Sequence, residues 1–464
     1  MVFSSAVFIW LFLPIVFVIN LILPKKCSNV FLLLASLFFY AWGEPVNVLL
    51  MLFTIVLNWL VGIGIGRFSA HKGKILAAGV VLDIAILGYF KYANFFVSTV
   101  NSLAGGEVIT PPGIALPIGI SFFTFQAISY IVDVYRGDTE PADNLINVAL
   151  YIAYFPQLIA GPIVKYKEIN KQIEDRQITS DGVALGLRRF MYGLGKKVIL
   201  SNILGKSVDL VFDLSMDVIG FKLAWLGAIL FPIQIYYDFS GYSDMAIGLG
   251  KMFGFDIPEN FVYPYVSKSI TEYWRRWHIS LGSWFREYVY FPLGGSRKGN
   301  VRTAINLTIM FTLTGFWHGA SFSFIAFGLY MAFFMVIERF WVLKKLDPHP
   351  VLSRIYFFIA FLFSIPFFRA NNLPRALCWM GKMCQVWNIG KIEPSFGNYM
   401  NGTTVAVLIV SILGAGIIQF ATPEKIRSKW KGSVAEWIYL VGVTILSMAL
   451  IASDTYNPFI YFTF

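Results

Sequence analysis

Apolar segments of roughly transmembrane length recur along most of the chain. A helix needs about 20 mostly apolar residues to cross a bilayer, and the segments either reach that length or approach it. The spans that this pattern predicts are residues 2–23, 30–42, 46–66, 75–97, 114–135, 221–239, 242–255, 303–316, 320–343, 352–368, 404–421 and 434–453. We therefore predict an all-α polytopic membrane protein of about twelve crossings, forming a single integral-membrane domain over residues 1–464.

The loops between the first spans alternate in their content of Lys and Arg. Residues 25–26 and 67–74 carry basic side chains, whereas residues 43–45 and 98–113 contain no Lys or Arg. Because cytoplasmic loops carry an excess of Lys and Arg, this alternation predicts that the N-terminus lies outside the cytoplasm. An even number of crossings then predicts a C-terminus on the same side.

The middle of the chain departs from this regular pattern. Residues 145–164 are apolar but contain Pro156 and Pro162, and basic loops flank them on both sides. This arrangement indicates a re-entrant or buried segment, which is tolerated at membrane depth only inside protein or beside a water-filled cavity. Residues 183–200 carry four basic side chains and are predicted to lie near the cytoplasmic face. Residues 263–302 are the most basic stretch and are predicted to be cytoplasmic or at the cytoplasmic interface.

The composition excludes a soluble globular protein. Hydrophobic residues make up 57% of the 464 positions and charged residues only 14%, against about 25% charged residues in a typical soluble domain. We attribute the net charge of +11 to cytoplasmic loops and predict no nucleic-acid partner. The three cysteines, Cys27, Cys378 and Cys384, have no metal-binding spacing, so neither a metal nor a bound cofactor is predicted.

Two of the four histidines lie where an imidazole could do chemistry. His318 sits between two apolar spans, and an ionisable residue at membrane depth suggests a functional site; a helix-packing histidine is the alternative. His278 lies beside Arg275 and Arg276, which would lower its pKa by like-charge repulsion, although such a basic, aromatic stretch is also typical of an interfacial anchor. No nucleotide-binding loop, HExxH, CxxC or Gly-x-Ser-x-Gly motif occurs, which leaves acid–base chemistry by histidine.

Several long motifs resemble the membrane-bound O-acyltransferase superfamily, in its bacterial alginate O-acetyltransferase-like branch. Around the two histidines these are EYWRRWH (272–278), SWFREYVYFPLGG (283–295) and NLTIMFTLTGFWHG (306–319). The segments MVFSS (1–5), YDFSGYSDMAIG (237–248) and NPFIYFTF (457–464) resemble the same branch. The resemblance therefore extends over the whole chain.

This resemblance implies a fold and an activity. The fold is a ring of tilted transmembrane helices with two funnels and a connecting tunnel, plus re-entrant or interfacial helices. The activity is transfer of an acetyl group from a cytoplasmic thioester, acetyl-CoA, across the membrane to a hydroxyl, for O-acetylation of an exported or cell-wall polysaccharide. His318 would be the catalytic base and His278 the second catalytic position. D-alanyl transfer to teichoic acid by a related enzyme, or non-enzymatic transport of a lipid or sugar, are the alternatives.

Other residues are expected to bind the substrates. The candidates for binding the donor are Trp274, Trp277, Arg275 and Arg276, because an arginine pair suits the phosphates of coenzyme A. The expected partners are membrane lipids, acetyl-CoA and an extracytoplasmic acetyltransferase of the SGNH type. The expected location is the bacterial cytoplasmic (inner) membrane, with both termini extracytoplasmic.

Three further residues are candidates for the acceptor path. Asp238 and Asp244 are carboxylates within the apolar region, and each either shapes that path or bonds to backbone at a broken helix. Tyr461 lies in a segment that resembles the C-terminal motif of a helper peptide in teichoic-acid D-alanylation, which implies that its hydroxyl relays the acyl group. The alternative for Tyr461 is an aromatic anchor at the membrane surface.

Overall fold

The computed structural model describes residues 1–388, 395–454 and 456–458, and the regular structure of these residues is helical apart from one isolated β-bridge. The helices up to residue 212 are α1 (Phe8–Ile22), α2 (Lys25–Ala41), α3 (Asn47–Arg67), α4 (Ser69–Ala104), α5 (Ile120–Arg136), α6 (Leu145–Ala153), α7 (Phe155–Leu158), α8 (Tyr166–Glu174), α9 (Ser180–Gly195) and α10 (Asn202–Phe212). Those that follow are α11 (Phe221–Met252), α12 (Ile270–Arg276), α13 (Ile279–Phe285), α14 (Gly299–His318), α15 (Phe322–Leu346), α16 (Pro350–Arg369), α17 (Leu373–Cys384), α18 (Gly402–Ala421), α19 (Glu424–Trp430) and α20 (Val434–Ser453). The predicted all-α class is confirmed.

Six helices among the described residues are long and apolar enough to cross a membrane: α3, α4, α15, α16, α18 and α20. Large apolar side chains on them are exposed, such as Leu60, Phe333 and Ile445, as a lipid environment allows. The chain is therefore a multi-pass membrane protein. The other early spans predicted from the sequence correspond to α1, α2 and α5, and residues 303–316 lie in α14. These four helices fall short of the six in length or hydropathy.

Two long helical runs form the middle of the chain, and the second of them, α11, corrects the prediction. Residues 180–212 form one uninterrupted run, in which a π-helical segment, Lys196–Ser201, joins α9 to α10. The sequence predicted a helix lying near the membrane face over part of this run. The helix α11 is also continuous, although the sequence predicted two separate spans within it.

The two runs are antiparallel. A Cβ atom added to Gly186 would overlap the carbonyl oxygen of Gly248, and one added to Gly241 would lie 2.8 Å from the carbonyl oxygen of Gly193. Glycines at these positions let the backbones approach closely, which is a common device of helix packing in membranes. One continuous helix, α11, packed against the run 180–212 thus replaces the two spans predicted for residues 221–239 and 242–255.

The predicted buried segment is short, broken and enclosed. The helix α6 has nine residues and is only about 14 Å long at 1.5 Å per residue, well below the thickness of the hydrocarbon core. Tyr154 leaves the helical conformation, and α7 adds a single turn. Every residue from Val148 to Lys165 is buried. The segment is therefore enclosed by protein, as the prediction required.

The side of the membrane on which this segment returns can be tested by labelling. We expect Lys171→Cys, an exposed position of α8, to react with an impermeant thiol reagent from the cytoplasm only. We expect Glu107→Cys, in the exposed loop after α4, to react from outside only. Both variants require a background in which the three exposed native cysteines are replaced by Ser. Reaction of Lys171→Cys from outside alone would mean that residues 145–164 cross the membrane.

The chain packs as two compact units, Met1–Phe190 with Ser243–Pro258, and Met191–Tyr242 with Glu259–Phe464. In the first unit, Gly62 of α3 faces Tyr130 of α5, and a Cβ on Gly62 would lie 2.8 Å from the tyrosine ring. In the second unit, Gly315 of α14 faces Gly328 of α15, and a Cβ on Gly315 would lie 2.8 Å from the Gly328 Cα. Close backbone packing therefore fixes α14, the helix that ends at His318. That residues 1–464 form a single integral-membrane domain stays a prediction.

Candidate active site

His318 is the last residue of α14 and is buried. Its imidazole lies among aromatic rings, with ring centroids 5.1 Å from Phe368, 6.4 Å from Phe327 and 6.5 Å from Phe324. Gly319 follows in extended backbone, where a Cβ would overlap the Phe324 ring. The helix α14 thus ends at His318, whose imidazole is enclosed by these aromatic rings. His318 is therefore enclosed by protein, whereas its depth in the membrane and its catalytic role stay predictions.

His278 forms the junction between α12 and α13. It adopts the left-handed conformation (φ 47°, ψ 52°), which costs a non-glycine residue about 1–3 kcal/mol. The turn is fixed by a short antiparallel pairing, in which Phe261 lies opposite Trp277 and the Ile279 N–H donates to the Asn260 carbonyl at 3.0 Å. This conformation ends α12 and leaves the imidazole buried.

Trp317 brings the two histidines into one site. Its ring centroid lies 6.0 Å from that of His278 and 5.0 Å from that of His318, and Phe239 of α11 contacts His278 edge-on at 4.7 Å. Burial lowers the pKa of His278 well below its ordinary value, and His318 lowers it further. From the sequence we expected the flanking arginines to lower this pKa, whereas burial and the second imidazole are its causes in the structure.

The left-handed conformation of His278 predicts that two substitutions at this position differ in their effect on stability. Asn adopts the left-handed conformation more readily than Ala does. We therefore expect His278→Ala to be less stable than His278→Asn by about 1–2 kcal/mol, as measured by thermal unfolding of the purified proteins in detergent. Equal stability of the two variants would show that the turn does not depend on the residue at this position.

The start of α12 is anchored by Glu338, which the sequence analysis missed. Its carboxylate is buried and accepts the Ile270 and Thr271 backbone N–H groups at 2.7 Å each, and the Thr271 hydroxyl at 2.6 Å. A carboxylate at a helix N-terminus is electrostatically favourable. Because α12 leads directly to His278, Glu338 helps to position the site. A carboxylate inside the apolar sequence of α15 was the signal that could have identified it.

The two candidate tryptophans differ in their surroundings. Trp277 is buried, with its ring 5.0 Å from Phe261 and 5.6 Å from Tyr273. Trp274 is partly exposed and contacts Phe311 of α14 at 5.5 Å. Trp277 therefore has a packing role in the described structure, whereas Trp274 keeps an accessible surface on which a donor could lie.

The two candidate arginines differ as well. Arg276 forms an ion pair with Glu272 at 2.8 Å and donates to the Val262 carbonyl at 3.2 Å. Arg275 is exposed. Arg276 is therefore engaged in holding α12 to the preceding segment, and Arg275 is better placed to meet an anionic group.

Both acceptor-path carboxylates form ion pairs with the helical run 180–212. Asp238 lies 2.6 Å from the Lys197 ammonium, with side chains 0% and 2% exposed, and the Ser201 hydroxyl donates to it at 3.3 Å. In the other unit, Asp244 lies 2.8 Å from Arg189. The proposed alternative of a broken helix at these carboxylates is wrong, because α11 is continuous there.

Lys197 and Asp238 are expected to be strongly interdependent. Removing one partner of a buried ion pair costs about 3–5 kcal/mol, whereas replacing both partners by apolar residues is often neutral. We therefore expect Lys197→Met to lower the stability by that amount and Lys197→Met with Asp238→Leu to recover most of it. Thermal unfolding in detergent measures both effects, and additive losses in the double variant would contradict the expectation.

Tyr461 lies outside the described residues, but the segment before it contacts α10. Asp454 forms an ion pair with Lys206, and the Tyr456 hydroxyl donates to Asp209 at 2.6 Å. The hydrogen bond from Lys206 and the Tyr456 N–H hold the pKa of Asp454 below its ordinary value. The segment that follows α20 is thus held by charged side chains of α10.

The same segment runs back along the helical run toward the buried ion pair. Asn202 donates to the Tyr456 carbonyl at 3.3 Å, and the Lys197 ammonium donates to the Pro458 carbonyl. Later residues of the segment therefore contact earlier residues of the run. Lys197 joins this segment to Asp238, a link that the sequence analysis missed because it assigned Lys197 to the membrane face.

The described residues contain no group of three or more His, Cys, Asp or Glu side chains that could hold a metal ion.

The model of the MBOAT, membrane-bound O-acyltransferase family, matches residues 142–374. The probable alginate O-acetylase AlgI of Pseudomonas putida is 39% identical over 100% of both chains. The protein of the same name from Pseudomonas aeruginosa is 42% identical over 89% of this chain and 80% of its own. The peptidoglycan O-acetyltransferase of Helicobacter pylori is 31% identical over 100% of this chain and 98% of its own.

Proposed function

Because the chain belongs to the membrane-bound O-acyltransferase family, we propose that it moves an acetyl group from cytoplasmic acetyl-CoA across the membrane, for O-acetylation of an exported or cell-wall polysaccharide. The chain is a membrane O-acetyltransferase. Non-enzymatic transport of a lipid or sugar is therefore no longer needed as an alternative function. The observation that carries the proposal is the pair of buried histidines that both contact the Trp317 ring. Similarity to alginate and peptidoglycan O-acetyltransferases over the whole chain supports a sugar hydroxyl as the final acceptor.

His318 is the general base in this proposal. It takes the proton of the attacking hydroxyl while the oxygen forms a bond to the thioester carbonyl carbon. The carbon–sulfur bond then breaks, and the sulfur leaves with a proton, so that the products are an acetyl ester and the free thiol of coenzyme A. A positioned base of this kind contributes about 10²–10⁴-fold to the rate. Cleavage of the thioester drives the reaction, and no nucleotide hydrolysis is needed.

The surroundings of His318 suit this role. Aromatic rings enclose the imidazole, and exclusion of water strengthens the electrostatic interactions in such a site. His278 contacts the same Trp317 ring and helps to position the thioester, with Trp274 along the donor path. Arg275, which is exposed, is the candidate for the phosphates of coenzyme A.

Tyr461 is the first acceptor in this proposal. The phenol hydroxyl receives the acetyl group and passes it to an extracytoplasmic partner of the SGNH type, which completes transfer to sugar. A phenyl ester is more reactive than an alkyl ester and therefore donates onward. The contacts of Asp454, Tyr456 and Pro458 with the helical run 180–212 support this role, because they hold this segment against the run and bring Pro458 to the buried Lys197. The location proposed is the bacterial inner membrane, with both termini extracytoplasmic.

The donor can be identified with purified protein. Acetyl-CoA labelled in the acetyl group is supplied, and release of the coenzyme A thiol and hydroxylamine-labile label on the protein are followed. A parallel reaction contains a D-alanyl thioester of phosphopantetheine, the donor class that D-alanyl transfer would require. We expect turnover with acetyl-CoA alone. Turnover with the D-alanyl thioester alone would replace the proposal by the D-alanyl alternative.

A further inference from the structure

Asn260 is buried beside His278, in the segment that pairs with the end of α12. Its side-chain oxygen lies 3.2 Å from the His278 Nδ1, 2.9 Å from the Ser280 hydroxyl and 3.3 Å from the Ser280 backbone nitrogen. Asn260 therefore contacts both residues that flank Ile279. The Asn260 carbonyl also accepts the Ile279 N–H, so the backbone and the side chain of one residue hold the whole turn.

The Ser280 backbone nitrogen decides which way the amide points. A backbone N–H can only donate, so the Asn260 atom that faces it has to be the acceptor oxygen and not the amide nitrogen. His278 Nδ1 faces the same oxygen. Since that oxygen cannot donate, the hydrogen bond requires the hydrogen to be on Nδ1. In the neutral imidazole the lone pair is then on Nε2.

We infer that Asn260 is a positioning residue that fixes His278 in its Nδ1-protonated tautomer, so that Nε2 is the proton-accepting nitrogen in the site. Only the chemical role of the His278 Nε2 in the active site rests on the proposed function; the tautomer does not. This tautomer refines the role of His278 within that function. A neutral His278 held in this way accepts a hydrogen bond or a proton through Nε2 and does not donate one, so it acts on a group that carries a hydrogen, and it positions the thioester by packing and not by a hydrogen bond to the carbonyl oxygen. His278 then serves beside His318 as a second acceptor.

His278 has neighbours on α14, on α11 and on its own element. From α14, His318 acts on it electrostatically. The rings that contact it from α14 and α11, those of Trp317 and Phe239, are uncharged. In α12, which leads to His278, Arg275 is exposed and Arg276 forms an ion pair with Glu272. A charge introduced at Asn260 would act on His278 directly, because the Asn260 side-chain oxygen lies 3.2 Å from the His278 Nδ1.

Asn260→Asp tests the inference through a pH profile. The carboxylate keeps an acceptor for His278 and Ser280, but its negative charge stabilises the imidazolium form and raises the pKa of His278. His278 is then a proton acceptor only at higher pH, so we expect the acid limb of the kcat profile to move to higher pH. Asn260→Ala is expected to lower kcat by roughly tenfold or more, with a smaller change in KM. Ser280→Ala is the matched control, since it removes a different donor from the same oxygen, and it should leave the acid limb in place.

The tautomer itself can be observed without turnover. Nitrogen NMR of the full-length protein labelled in histidine distinguishes a protonated Nδ1 from an unprotonated one, and His278→Asn identifies the signal. We expect a protonated Nδ1 and an unprotonated Nε2 in wild type at neutral pH. The opposite pattern, or an acid limb that does not move in Asn260→Asp, would overturn the inference. If Asn260→Ala does not fold, the wild-type spectrum and Asn260→Asp still decide. A protein with the expected tautomer but no acetyl transfer would refute the proposed function and not the tautomer.

Discussion

His318→Gln and His318→Ala are expected to abolish acetyl transfer while the proteins are still made and inserted. Gln retains polar bulk but cannot take a proton from a hydroxyl, so the loss should reach the full contribution of a general base, about 10²–10⁴-fold. Ala also leaves a cavity among the surrounding rings, and Gln is therefore the more informative variant. Polysaccharide O-acetylation in cells that depend on the protein measures the effect.

The matched control for this prediction is His349→Gln. His349 is exposed in the loop before α16, so the same chemical change there should leave acetylation at the wild-type level. Size-exclusion profiles of all three variants in detergent report on folding. Transfer by His318→Gln close to that of wild type would remove the general-base role and leave His318 as a packing residue.

Tyr461→Phe is expected to end acetylation of the polysaccharide, because it removes only the hydroxyl that would carry the acetyl group and keeps the aromatic ring. Consumption of acetyl-CoA by the purified protein should fall with it. A membrane anchor, in contrast, would need the ring and not the hydroxyl. Full acetylation by a well-folded Tyr461→Phe would therefore leave the anchor as the role of this residue.

The contacts of the preceding segment can be disturbed without touching Tyr461. A Cβ added to Gly205 of α10 would lie 2.9 Å from the Tyr456 hydroxyl, so Gly205→Ala should break the hydrogen bond from Tyr456 to Asp209. A bond to a charged group of this kind is worth about 1.5–3 kcal/mol, and we expect at least about a tenfold loss of transfer. Gly442→Ala in α20 is the control, because open space surrounds that glycine. Both substitutions favour the helix, so loss in Gly205→Ala alone would not be due to helix destabilisation.

The sequence was sufficient for the fold class and for the burial of His318, because both depend on local composition. Long apolar runs separated by charged loops predict membrane helices directly, and a histidine between two such runs is buried wherever those helices pack. The buried segment at residues 145–164 was predictable for the same reason, since the basic loops on both of its sides are a local pattern.

The burial of Lys197 in the helical run 180–212 could not be predicted from local composition. Its basic residues resemble a membrane-face helix, yet Lys197 is buried because Asp238 of a distant helix neutralises it. The partner of such a cation is set by tertiary packing and not by spacing along the chain. Asn260 was missed for a related reason: its role depends on a turn at His278 that only the pairing of two remote segments creates.

Proteoliposomes would test the proposed reaction in one step. Labelled acetyl-CoA is supplied on the cytoplasmic side of the protein, and the extracytoplasmic partner and polysaccharide are enclosed on the other side. We predict that hydroxylamine-labile label accumulates on the enclosed polysaccharide with wild type and His349→Gln, but not with His318→Gln. Label on the polysaccharide at the same rate with His318→Gln, or release of coenzyme A by wild type without any label crossing the membrane, would contradict the proposal.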